Sequence, residues 1–347
     1  MNDDGPSSSR AWAAGTPTAI GSMPGTDPVE TARLLASDVP ELMPFPELPA
    51  RGVGADVLGR TAGMLVDLAV ELAPSGYRAS RGGRDQRRAV DLLRWDVDAV
   101  EHAAAEYGPR VVKVQAAGPW TLAAGIELER GHRVLTDPGA LRDFTSSLTE
   151  GLLAHVANVR ARTGARVAVQ LDEPTLPSVL AGTLPTPSAY GNVAAVPEPE
   201  AQRLLGEVID QLTATTGEPV AVHCCAPRPP AGLFRRAGAG AISLDATGLG
   251  SVAGTLADEL GEAWDQDVAL LLGLVPTTGP EEEPSVRELA QPAFDFAARL
   301  GFGRRELADR ALVTPTCGLA GTSQQWARRA VRLSRDITQM LAQEAES

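Results

Sequence analysis

The chain has 347 residues, 44% of them hydrophobic, enough for a sizeable core in either one large α/β unit or two ordinary domains. A formal net charge of −13 excludes nucleic acid as a partner, and no apolar run approaches the roughly 18 residues of a membrane-crossing helix. Three cysteines, two of them adjacent, make no disulfide framework, so the composition predicts a soluble protein of the reducing cytoplasm.

Residues 1–14, rich in Ser, Gly and Asp, read as a disordered leader without the charged-then-apolar pattern of an export signal. From there on, short β-branched runs alternate with amphipathic stretches. Strands are expected at 17–22, 41–46, 111–117, 166–172, 219–225, 239–245, 268–275 and 310–316. Helices are expected at 28–37, 55–73, 138–162, 199–215, 250–263, 284–300 and 322–343, with Asp27 ahead of Pro28 and Thr322-Ser-Gln-Gln325 as start signals. The stretch 47–110 exceeds the needs of one helix, and is expected to hold two helices and the Arg81-Gly-Gly-Arg84 loop. Eight strand–helix alternations predict a single-domain (β/α)8 TIM barrel over residues 15–347, with a doubly wound open sheet as the alternative. Polar residues favour the barrel. They fall at or just past the C-terminal ends of nearly all the strands, the face where barrel sites are built: Gly21-Ser22, Glu47, Gly118-Pro119, Asp172-Glu173, His223 with Cys225, Asp245, Pro276-Thr277-Thr278 and Cys317-Gly318.

The densest chemical signal is Pro219-Val-Ala-Val-His-Cys-Cys225, which holds three of the seven cysteines and histidines in the chain. Alternation along a strand sends His223 and Cys225 to one face and Cys224 to the other, so the first two read as metal ligands and Cys224 as core packing. Cys317 and Asp245, at other strand ends, can converge on the same mouth. A nitrogen and soft sulfurs form the donor set that zinc favours. Asp172 closes an apolar strand, Val167-Ala-Val-Gln-Leu171, where a carboxylate either binds a cation, acts as acid or base, or makes a structural ion pair. Asp172 and His223 are the expected catalytic residues. Glu47, fixed between prolines, and Gly21-Ser22 are weaker signals, and His102, His132 and His155 read as surface or packing residues.

In order along residues 16–345, these segments resemble the C-terminal catalytic barrel of cobalamin-independent methionine synthase. The matching motifs are Ile20-Gly-Ser-Met-Pro24, Gly118-Pro-Trp-Thr121, Val169-Gln-Leu-Asp-Glu-Pro174, His223-Cys-Cys225 and Thr316-Cys-Gly-Leu319. The resemblance implies zinc held by His223, Cys225 and Cys317, and homocysteine held at its amino-acid end by Ile20, Ser22, Glu47 and Asp172. It also implies methyl transfer to the homocysteine thiol in methionine biosynthesis. The chain departs from the family's long form in three respects. It has no room for a second barrel, it carries Asp245 where the family has a glutamate zinc ligand, and it has Gly125 in place of a tryptophan and no histidine after His223. The methyl donor is accordingly either a methylated corrinoid, on a partner protein or free, or methyltetrahydrofolate. Loop 175–198, with Tyr190, is expected to serve as a lid or donor-docking segment. Competing readings are an alkyl transferase acting on another thiol such as coenzyme M, a metal-free lyase or decarboxylase of the uroporphyrinogen decarboxylase type, and a non-catalytic thiol- or zinc-binding module.

Overall fold

The computed structural model describes residues 12, 15–186, 190–249, 254–282 and 284–346. Apolar runs rich in Val, Ile and Leu form the strands: β1 Met43–Pro44, β2 Ala69–Ala73, β3 Gly76–Ser80, β4 Val111–Ala117, β5 Ile126–Glu127, β6 Arg166–Asp172, β7 Ala221–His223, β8 Ala241–Asp245, β9 Ala269–Val275 and β10 Ala311–Pro315. Seven of them make one sheet in the order β1-β4-β6-β7-β8-β9-β10, parallel at every pairing. The register places Asp172 beside His223 and His223 beside Ser243, so the ends of β6 and β7 lie next to the middle of β8.

The segment 17–22, expected as the first strand, forms no ladder of its own. Pro17 has no N–H to donate, and Gly21 has φ of 152°, which interrupts a regular strand. The segment meets both outer strands through isolated bridges, Pro17 to Val313 in β10 and Ser22 to Glu47 just past β1. Thr18 N donates to Val313 O (3.2 Å) and Met23 N to Glu47 O (2.8 Å). Seven residues at the N-terminal ends of the sheet strands, Leu42, Val111, Ala168, Ala221, Ala241, Leu271 and Leu312, pack with Trp12 in one apolar layer. A flat sheet cannot bring its outer strands into one cluster, so the sheet curls around this layer. Trp12 falls within the expected leader; it is buried and its Nε1 donates to Pro219 O at 2.6 Å. The other residues of 1–14 lie outside those described.

Helices cover the outside of the sheet, including Pro28–Asp38, Pro138–Thr163, Glu198–Thr216, Thr255–Asp265, Val286–Leu300 and Gln324–Ala345. Asp27 caps the first, accepting from Val29 N and Glu30 N, and Ser323 caps the last, accepting from Trp326 N. The helix expected over 55–73 stops at Ala62. Beyond it Asp67 takes a positive φ of 56°, and residues 69–80 fold as the antiparallel hairpin β2–β3 around Pro74-Ser75. Gly63 lets the turn press on the helix Arg84–Tyr107; a Cβ there would lie 2.9 Å from that of Ala89. Among the described residues no helix is long and apolar enough to cross a membrane.

Candidate active site

At the C-terminal ends of the sheet strands a cavity of about 320 Å³ is lined by Ile20, Ser22, Glu47, Asp172, His223, Cys225 and Cys317, with Asp56 and an apolar wall that includes Pro49, Ala55, Val57 and Pro174. Its volume suits a small metabolite. The ligand atoms of His223, Cys225 and Cys317 all lie within 4.8 Å of one another. Cys317 Sγ is 2.9 Å from Cys225 Sγ and 3.8 Å from His223 Nε2. The other ring nitrogen, Nδ1, is 3.0 Å from Ser243 Oγ, so the hydroxyl fixes the imidazole with Nε2 toward the sulfurs. Contact with Cys225, aided by His223, holds the Cys317 thiol down at about 4, while the same contact raises Cys225. A cation of the zinc class fits this donor set of one nitrogen and two sulfurs. Cys224 follows strand parity: it is fully buried in the apolar core, and burial pushes its thiol up to about 12.

Two carboxylates line the same cavity, Asp172 on the strand next to His223 and Glu47 past β1. Glu47 is buried and accepts from Arg60 Nη1 at 3.0 Å; burial raises it to about 7, against the opposing pull of Arg60. Asp172 accepts from Gln170 Nε2 at 2.7 Å, and burial raises it too, while His223 lowers it. Gly21, at a positive φ of 152°, brings the backbone close over two side chains: a Cβ would lie 3.0 Å from Gln115 Cδ and 3.2 Å from Glu47 Cδ. Gly318 likewise leaves room for Ser22, whose Oγ would be 1.9 Å from an added Cβ.

Glu173, adjacent to Asp172, points elsewhere. Its carboxylate accepts from Trp120 N (2.9 Å), Thr121 N (2.8 Å) and Thr121 Oγ1 (2.8 Å), holding the start of the helix Pro119–Gly125. A Cβ on Gly118 would fall 2.3 Å from Glu173 Oε1, so the Gly-Pro-x-Thr and Asp-Glu-Pro segments interlock. Asp245 is exposed, stands outside the His–Cys–Cys cluster, and accepts from Thr247 N (2.9 Å) and Thr247 Oγ1 (2.7 Å). Of the loop 175–198, residues 176–181 are helical, Pro185 bridges Asn192, Tyr190 is exposed, and 187–189 lie outside the described residues. His155 packs edge-on against Phe45 at 5.2 Å, as a packing histidine does. Sequence reasoning missed Arg60, Lys113, Gln170 as a donor, and Ser243, all polar groups of the site's floor and flanks.

The sequence model of the cobalamin-independent synthase catalytic domain matches residues 15–340. Comparison with curated protein sequences gave no match. Among solved structures, a B12-independent methionine synthase from Shewanella sp. W3-18-1, in complex with selenomethionine, is similar at a TM-score of 0.59 and 11% identity. The alignment covers 96% of this chain and 99% of that one. A methyltransferase from Methanosarcina mazei follows at 0.54 and 13% identity, covering 93% and 94%. At these identities the likeness is one of fold.

Proposed function

We propose, since the chain belongs to the cobalamin-independent synthase catalytic-domain family, that this methyltransferase moves a methyl group to the thiol of homocysteine at a zinc site. The carrying observation is the meeting of a His–Cys–Cys cluster and two buried carboxylates in one cavity of about 320 Å³. We read the segment 17–22 as the eighth stave of a (β/α)8 barrel that spans residues 15–347 as one domain.

His223, Cys225 and Cys317 would hold the ion, three protein ligands being the arrangement that leaves a position for substrate. When bound there, zinc supplies the positive charge that makes a thiol a thiolate at neutral pH. The rest is the work of the chain. Asp172 and Glu47 receive the ammonium group of the amino acid, and Ser22 with the Ile20 backbone faces its carboxylate. Ser243 keeps the His223 ring in place, and the apolar wall limits water around the nucleophilic sulfur. Transfer forms one sulfur–carbon bond as the donor–carbon bond breaks, so positioning and dehydration are what the protein contributes.

A methylated corrinoid is the donor we favour over methyltetrahydrofolate, because Gly125 stands where the family's tryptophan is expected and no histidine follows His223. The test is metal analysis of the purified protein followed by assay of methionine from homocysteine with methylcobalamin or methyltetrahydrofolate. Protein without zinc, and a Cys225→Ser variant equal to the parent, would overturn the proposal. Coenzyme M in place of homocysteine tests the competing acceptor.

A further inference from the structure

The chain carries 31 basic residues, and Lys113 is the only lysine among them. A composition that has placed arginine at every other basic position keeps lysine at one site in the middle of β4. That site is fully buried, and the ammonium group meets three acceptors: Ala19 O at 2.6 Å, Ile20 O at 3.2 Å, and Gln170 Oε1. An ammonium has three donors in a tetrahedral arrangement and matches these three acceptors, whereas a guanidinium is a larger planar fork. The geometry therefore suits lysine.

We infer that Lys113 is a positioning residue that gives the site its preference for an amino-acid acceptor, by locking the Gln170 amide in the orientation that donates to Asp172. An amide side chain can present either end to a neighbour, and its network decides which. With Oε1 held by Lys113, Nε2 is left to donate to Asp172 Oδ1 (2.7 Å) and Ile20 O (3.2 Å). The flipped amide would set an oxygen against the Asp172 carboxylate and suit only its neutral acid form. Lys113 thereby sets the end of the amide that Asp172 meets, and also ties down the Ala19-Ile20 backbone beside the cavity. Burial pushes Lys113 itself down to about 7, with Asp172 and then Glu47 opposing. With its ammonium so engaged, Lys113 is not placed as a nucleophile.

This inference rests on the reading that Asp172 receives an ammonium group, and the test separates the two. Zinc-loaded protein is titrated calorimetrically with homocysteine and with 4-mercaptobutyrate, the same thiol acid without its amino group. The parent should prefer homocysteine about 10- to 100-fold, the span of one hydrogen-bonded charge. Lys113→Met and Gln170→Leu should each cut that ratio about tenfold, and Lys113→Arg should not restore it. Gln170→Leu keeps the lysine and decides the matter if Lys113→Met fails to fold. Selective ¹⁵N-lysine labelling gives a single side-chain resonance, whose retention reports that the buried ammonium is intact. Folded variants with the parental ratio would overturn the role of Lys113 alone. A parent that binds both thiols equally would overturn the amino-acid reading and this inference with it.

Discussion

Asp172 and Glu173 are neighbours in sequence with opposite duties, and replacing Glu173 separates them. Its carboxylate is fully buried and accepts three hydrogen bonds from Trp120 and Thr121. Glu173→Ala leaves those donors without a partner, which should cost roughly 3–5 kcal/mol of stability. Glu173→Gln is the finer probe. Burial raises Glu173 from 4.5 to about 7, so it binds a proton in the folded protein that the unfolded chain has already released. A raised carboxyl stabilises the fold fully below pH 4.5, and that contribution is lost as pH climbs through 7. Each pH unit in that window is worth about 1.4 kcal/mol, so the stability of Glu173→Gln relative to the parent should rise by roughly 3 kcal/mol between pH 4.5 and 7. Urea unfolding of both proteins at pH 5 and pH 8 measures this. A difference that does not change with pH refutes the burial argument. Methyl transfer per folded molecule lowered by more than about tenfold, a barrier increase of about 1.4 kcal/mol, would refute the purely structural role.

Cys225→Ser and Cys317→Ser should each lose bound zinc, read by metal analysis, whereas Cys224→Ser should keep it and lose about 1–3 kcal/mol by burying an unpartnered hydroxyl. Asp245→Asn should retain zinc, since its carboxylate is engaged by Thr247; metal loss in that variant would bring Asp245 back as a ligand. Trp12→Ala should destabilise by about 3–5 kcal/mol, seen as a lower urea midpoint, because a large buried side chain is removed. His155 is pushed down to about 3 by burial, so the neutral ring stabilises the fold above pH 6.5 and this is lost as pH falls toward 3. His155→Leu should flatten the acid limb of the stability curve.

Much of the frame was legible because the strands are bounded apolar runs. β4 and β6 match the expected 111–117 and 166–172 residue for residue. The hairpin β2–β3 was missed although its signals were present: Val70 and Leu72 alternate with polar or small residues, and Pro74-Ser-Gly76 follows. The helical pattern of 55–62 simply appeared to continue. Strand parity correctly separated Cys224 from His223 and Cys225, since it depends only on chain geometry. Parity could not place Lys113 or Gln170, because a polar residue in an apolar run looks the same whether it faces the axis of a curled sheet or the helix layer. Asp245 shows the converse limit: its strand end was identified correctly, but a short side chain beside a threonine closes on its own turn.

The layer formed by Trp12, Leu42 and six strand residues also bears on traffic. Alanines 168, 221 and 241 on three adjacent strands leave space on one side of the floor, next to Leu42, Leu271 and Leu312, and the indole packs with them. Among the described residues that end of the sheet is filled by buried side chains, so on the proposed transfer both guests would approach from the opposite, C-terminal face, and the one seated deeper would have to enter first.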